Sequence, residues 1–401
     1  MRRRTARFSA VLSVLVAAIA ARHAAVVLAA GSTAQQPAAS AQFHFGGNVA
    51  EIPARFVDYL VFLPAGVNQS QPSLLQLDTT AAASTIDSVR AAELGITTLQ
   101  SPVLNMSGVD FSLASLTETS RKDFGAQVGR PYEGSLGKDF LDGAIVEINY
   151  VRQTVRLFDP ATYKYSGKGK SLRLNFVAGL PVLHARLAMG DTKAAEGDFV
   201  LDTTLDASLI VSQKFSKTHK LLSHVKTIHS VDFLPNDGAF LVRAREFDIG
   251  GSIPVAAPIV VFSSGSSLAN SDARFAGEIG GAMLRRFVVT LDYPHQQVYF
   301  DASSEIRVEE VEDMSGIALA AGGPDLKRFE VTQVWPGTPG ADAKIQKGDV
   351  IAGINDEAAA DMSLAEIRRL FRQPAVKYRV LLQRGPQTMT VNLQMRRQLG
   401  Y

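Results

Sequence analysis

The sequence predicts a mostly β protein, with two duplicated β-barrel lobes followed by a small α+β domain. Three observations carry this prediction. The string Leu77-Asp78-Thr79-Thr80-Ala81-Ala82-Ala83-Ser84-Thr85-Ile86 returns as Leu201-Asp202-Thr203-Thr204-Leu205-Asp206-Ala207-Ser208-Leu209-Ile210. A second pair of segments repeats in the same order. Gly134-Ser135-Leu136-Gly137 leads into Phe140-Leu141 and the apolar run 144–150, and Gly277-Glu278-Ile279-Gly280 leads into Met283-Leu284 and the run 287–293. Around these strings, short apolar runs alternate with turn residues, the pattern of closed or sandwich-like β units.

Composition sets the frame. The chain has 401 residues, 46% apolar and 20% charged, with a formal net charge of +2. That length and balance suit two or three globular domains. The near-neutral charge and the lack of a basic run interleaved with aromatics argue against a nucleic-acid partner. There is no cysteine, which excludes disulfides, thiolate metal sites and a cysteine nucleophile.

Taken in chain order, residues 1–41 read as a signal peptide and leader. Arg2, Arg3, Arg4 and Arg7 precede an apolar run over 8–21, and small residues follow. Ser32-Thr33-Ala34 and Ala39-Ser40-Ala41 are two candidate cleavage sites. The run is short for a bilayer span and is followed by Arg22 and His23. An exported protein, periplasmic or extracellular, is expected, with no membrane contact beyond an uncleaved N-terminal anchor.

The first lobe is expected over 42–165. A strand-like approach over 73–77 reaches Asp78, and a short helix follows over 86–94 with Gly95 as its stop. Asn105-Met106-Ser107-Gly108-Val109-Asp110 is a turn between apolar residues. The second lobe is expected over 166–302, after a junction with Pro160 and two glycines. Pro235-Asn236-Asp237-Gly238 marks a hairpin turn between apolar runs. Either turn reads as a flap over a bound peptide or as an ordinary surface hairpin.

These strings resemble the retropepsin-like aspartic peptidases in their single-chain, two-lobe bacterial form. Leu77-Asp78-Thr79 and Leu201-Asp202-Thr203 match that family's Asp-Thr-Gly loop. Leu136-Gly137 and Ile279-Gly280 match its apolar-apolar-Gly motif, although Ser135 and Glu278 stand where an apolar residue is usual. The resemblance implies an aspartic-peptidase bilobe with Asp78 and Asp202 as catalytic carboxylates. Two such carboxylates cannot both ionise easily at close range. One acts as base toward a water while the other donates to the scissile carbonyl, and no cofactor or metal is required. Thr79 and Thr203 would support the dyad across the lobes. Asp206, with Gly108 and Gly238 at the turns, would contact substrate. The family's third loop residue is glycine, whereas this chain has Thr80 and Thr204. They count with the dyad-supporting residues, since Thr80 can still offer its backbone N–H to Asp78, but their side chains are expected to crowd the carboxylates.

Residues 303–313 are charged and lack a long apolar face, so they read as a linker from which the C-terminal domain should be separable. That domain, over 307–396, resembles a bacterial PDZ domain. The resemblance lies in Pro336-Gly337-Thr338-Pro339-Gly340-Ala341, in Lys347-Gly348-Asp349-Val350-Ile351 and in the capping-box helix opened by Ser363-Leu364-Ala365-Glu366. It implies a groove for an extended peptide between Gly316-Ile317-Ala318-Leu319 and the helix face carrying Ile367. Lys344 replaces a usual glycine.

Two functions stay open on these residues: an exported aspartic endopeptidase acting on polypeptide, and an inactive pseudo-peptidase that binds peptides as a scaffold. A PDZ-bearing serine peptidase is excluded by the absence of a Gly-x-Ser-Gly stretch, and a zinc peptidase by the absence of His-Glu-x-x-His.

Overall fold

The computed structural model describes residues 40–44, 47–223, 225, 239–263 and 267–399. Residues 1–39 of the expected signal peptide and leader, and the turn Pro235-Asn236-Asp237-Gly238, lie outside the described residues.

The chain is mostly β, and its two lobes are wired alike. In the first, Leu60–Val67 pairs antiparallel with Ser73–Leu77. Gly134–Leu136 joins Ser73–Leu77 in parallel and pairs antiparallel with Thr85–Asp87. In the second, Leu180–Ala188 pairs antiparallel with Ala195–Leu201. Phe275–Ile279 joins Ala195–Leu201 in parallel and pairs antiparallel with Leu209–Val211. Each lobe thus brings the end of its Asp-bearing strand beside the strand carrying its Gly motif.

A six-stranded sheet joins the lobes. At its centre Ile145–Asn149 pairs antiparallel with Phe287–Asp292, from Val146 opposite Leu291 to Asn149 opposite Val288. Thr154–Phe158 and Val49–Ile52 continue it on one side, and Gln297–Ala302 and Lys170–Arg173 on the other. One continuous apolar core runs through both lobes, including Leu77, Leu136, Phe140, Leu201, Ile279 and Met283.

The local signals act as their chemistry requires. Asp87 caps the helix Ser88–Glu93 by accepting the N–H groups of Val89 and Arg90, and Gly95 follows at φ +64°. The turn holding Gly108 (φ +79°) links Val103–Met106 to Val109–Ser112. The outer edge of that hairpin is covered, because Ser40–Phe43 pairs along Val109–Ser112 and His44 N–H reaches Gly108 O at 2.9 Å. The corresponding hairpin of the second lobe is Glu246–Ile249 with Ile253–Ala256, turning at Gly250 and Gly251.

The C-terminal domain is a sheet of Ile317–Gly322, Arg328–Val334, Val350–Ile354, Lys377–Arg384 and Gln387–Gln394, in that order. The helix Leu364–Phe371 covers it, and its capping box is formed by Ser363 and Glu366. Leu364, Ile367 and Phe371 are buried in a core separate from that of the lobes. Lys344 takes φ +60°, a conformation that favours glycine, and its carbonyl accepts Arg384 Nη2 at 2.9 Å.

The segment before this domain is not a loose tether, which corrects the linker expectation. Two of its charges, Glu310 and Glu312, are buried and paired. Glu310 Oε2 accepts Ser208 Oγ–H at 2.6 Å and Ile259 N–H at 3.1 Å, and lies 3.7 Å from Arg286 Nη2. Glu312 Oε1 accepts the N–H groups of Gln398 and Leu399, and Oε2 lies 3.4 Å from Arg243 Nη2. The domain's helix also meets the first lobe. Arg368 and Arg372 each lie 3.4 Å from Asp58, and Arg368 Nη2 donates to Gln127 O at 2.8 Å.

Candidate active site

Each Asp loop is fixed by the Gly motif beside it. Asp78 N–H donates to Leu136 O and Asp202 N–H to Ile279 O, both at 2.9 Å. The next residue in each motif must come very close to the Asp loop. A Cβ on Gly137 would lie 2.7 Å from Ala83 C, and one on Gly280 would lie 2.3 Å from Ala207 O. Any side chain there would push the loops apart, which is the physical reason for glycine at both positions.

Thr79 and Thr203 then join the two loops by a reciprocal exchange. Thr79 N–H donates to Thr203 Oγ1 at 3.2 Å, and Thr203 N–H to Thr79 Oγ1 at 3.1 Å. Each hydroxyl passes its own proton to the opposite chain, Thr79 Oγ1 to Leu201 O at 2.6 Å and Thr203 Oγ1 to Leu77 O at 2.7 Å. Both threonines are buried. The exchange satisfies four buried backbone groups and holds Asp78 and Asp202 on either side of the lobe interface.

Thr80 and Thr204 correct the crowding expectation. Thr80 donates both N–H (2.9 Å) and Oγ1–H (2.7 Å) to Asp78 Oδ1, and Ala81 N–H adds a third bond at 3.0 Å. Thr204 donates N–H and Oγ1–H to Asp202 Oδ1, both at 2.7 Å. Neither threonine has a positive φ, so glycine's backbone freedom is not needed here. The hydroxyls are additional donors to the carboxyls.

Asp78 and Asp202 are 8% and 6% exposed. Burial, and then the charge of Asp78, push the Asp202 carboxyl up to about 6, while Thr204 and Arg121 act the other way. A third acid belongs to this group. Glu278, 3% exposed, hydrogen-bonds the Asp202 side chain and accepts Ala269 N–H at 2.7 Å. Its signal in the sequence was a charged residue inside an otherwise apolar strand, but only the lobe geometry shows which way the side chain points. Among the described residues, no group of three or more His, Asp or Glu is arranged to hold a metal ion.

Asp206 is engaged away from the dyad. Its Oδ1 accepts Tyr59 N–H at 3.2 Å. Burial and neighbouring Asp58 push it up to about 7, against Arg372 and Arg368 of the C-terminal helix. This residue therefore sits at the junction with the C-terminal domain, and its contacts there differ from the substrate contact expected of it. Gly108 sits at the tethered hairpin turn described above.

The groove residues of the C-terminal domain lie together at one edge. Gly316 (φ +68°) packs against Thr338, and Ile317, Leu319 and Ile367 are buried while Ala318 is half-buried. The strand Ile317–Gly322 is the edge of its sheet. The first lobe's helix Phe124–Val128 packs against that strand. Just beyond it, a Cβ on Gly129 (φ +77°) would lie 2.8 Å from Leu364 Cβ.

The sequence profile of the PDZ domain family matches residues 330–384, so the C-terminal domain is a PDZ domain. A search of curated proteins found no match. Among solved structures, an aspartic proteinase from Irpex lacteus is similar to this chain at 10% identity, with a TM-score of 0.44, over 65% of this chain and 99% of that one.

Proposed function

We propose that this protein is an exported aspartic-type endopeptidase of the retropepsin-like kind, working outside the cytoplasm with a PDZ domain that takes an extended peptide. The observation that carries the reading is the crossed Thr79–Thr203 exchange, which ties two equivalent Asp loops into one centre. In such a centre one carboxylate takes a proton from water, and the resulting hydroxide attacks the peptide carbonyl carbon. The other carboxyl gives its proton to the carbonyl oxygen. Collapse of the tetrahedral intermediate expels the amine, which leaves protonated. Asp202, held up to about 6 by burial and by Asp78, has the titration such work needs at mildly acidic pH. The PDZ part of the reading is supported by the family match over 330–384. The edge strand Ile317–Gly322 lies beside the helix Leu364–Phe371 and carries the first lobe's helix Phe124–Val128, whose place an extended peptide would have to take.

The test is hydrolysis of an unstructured polypeptide by the mature protein, with Asp78→Asn and Asp202→Asn as controls. Cleavage lost in both variants supports the reading. Cleavage that survives either substitution overturns it.

A further inference from the structure

Glu278 is a buried acid that the proposed mechanism leaves unused. It lies on Phe275–Ile279, opposite Val200 of the Asp202 strand on one side and Ile210 on the other. Both neighbours are apolar. Oε1 accepts Ala269 N–H, and the side chain also meets Asp202 and the Ser267 hydroxyl. A hydrogen bond between two carboxyl groups needs a proton between them, because an ionised carboxylate only accepts.

We infer that Glu278 is a positioning residue of this centre: it keeps a proton and donates it to Asp202, so that Asp202 remains an ionised acceptor toward neutral pH. The inference rests on Asp78 and Asp202 forming the working pair proposed above, but its test does not require cleavage.

Three observations agree with it. The first is the donor count. Asp78 Oδ1 accepts three protons, from Thr80 N, Thr80 Oγ1 and Ala81 N. Asp202 Oδ1 accepts two from its own loop, from Thr204 N and Oγ1. Glu278 brings Asp202 to the same number. The second is the surroundings. Asp202 is the charged group that acts on this carboxyl, while Asp78 and Arg121 act on Asp202. The helix Leu268–Ser271 and the strand Leu209–Val211 bring no charged residue. The helix Gln213–Thr218 and the strand Ala195–Leu201, which also pack on this strand, bring Lys214 and Lys217, and Glu196 and Asp198. The third is burial: the Glu278 carboxyl is held above its ordinary value, first by its burial and then by the charge of Asp202, as a group that keeps its proton must be.

Infrared spectroscopy of the full-length mature protein, labelled with ¹³C-glutamate, tests this directly. At neutral pH the spectrum should contain the C=O band of a protonated carboxyl that shifts with the glutamate label, fades as pH rises through about 8, and is missing from Glu278→Gln. The label separates it from Asp206, whose band it would not move. If the variant does not fold, the labelled wild-type titration decides alone. No label-sensitive band at neutral pH, or one that persists in folded Glu278→Gln, overturns the inference. If the protein cleaves peptides, Glu278→Leu, which removes the donor, should move the alkaline limb of cleavage to higher pH, while Glu278→Gln, whose amide still donates, should leave it closer to the wild type; a purely packing role for Glu278 would not separate the two.

Discussion

Replacing Thr204 by valine removes one hydroxyl and keeps the shape of the side chain. That hydroxyl donates to Asp202 Oδ1 at 2.7 Å, so the substitution isolates one hydrogen bond at the centre. A bond to an ionised carboxylate is worth about 1.5–3 kcal/mol, and a neutral one about 0.5–1.5 kcal/mol. Asp202 titrates at about 6. The cost should therefore be the larger figure at about pH 8 and the smaller at about pH 4, where the carboxyl is protonated. The sign follows from the charge. Losing a donor to the ionised form pushes Asp202 further up, and a difference of about 1.4 kcal/mol between the two conditions corresponds to a titration about one pH unit higher. Because the raised carboxyl favours the fold in its protonated form, stability falls as pH rises from the unfolded value of 3.8 through the folded one, and falls further in the variant. Urea denaturation of both proteins at the two pH values measures this. An equal loss at both pH values, or none, would refute the argument. Restoring glycine at Thr80 and Thr204 removes the same donors and adds about 0.5–1 kcal/mol of unfolded-state entropy per site, so those variants should also lose stability.

The crossed exchange is more costly to break. Thr203→Val leaves Thr79 N–H and Leu77 O buried without partners, and at about 1–3 kcal/mol for each group the urea midpoint should fall well below that of Thr204→Val. The buried Glu310 and Glu312 predict that limited proteolysis spares residues 303–313 in the native protein. Cutting there should appear once both are replaced by alanine, and ready cutting of the wild type would contradict the packed linker. On the proposed export, a cut after Ala34 is expected rather than one after Ala41, because the later cut would remove half of the strand Ser40–Phe43 that covers the first hairpin. N-terminal sequencing of the exported protein decides between the two sites.

Much of the fold was legible because two long-range facts were written locally. The duplicated Asp-Thr-Thr strings and the paired Gly motifs each encode one corner of a lobe, and their matched order implied two lobes built alike. Turn and cap chemistry was equally local, as at Asp87, Gly95 and Ser363. What the sequence did not show depends on contacts between distant segments. Glu310 and Glu312 look like linker charges until Ser208, Ile259, Arg243 and the C-terminal backbone surround them. Thr80 and Thr204 were read through the bulk of their side chains, and only the rotamer reveals a donor aimed at the carboxyl. Asp206 was assigned by its position in the loop, while Arg368 and Arg372, more than 160 residues later in the chain, set its surroundings. Glu278 stood out as a misplaced charge, and its bond to Asp202 needed the parallel register of two strands to be seen.

The central claim is that Asp78 and Asp202 act as one acid–base pair. Peptide hydrolysis by the mature protein should be followed from about pH 3 to about pH 7, alongside Asp78→Asn, Asp202→Asn and the double variant. The account predicts cleavage by the wild type on the acidic side of neutrality, with each single substitution as damaging as the double one, since a lone carboxylate cannot serve as both acid and base. Cleavage that persists in either single variant, or a folded wild type that cleaves nothing at any of these pH values, would contradict it.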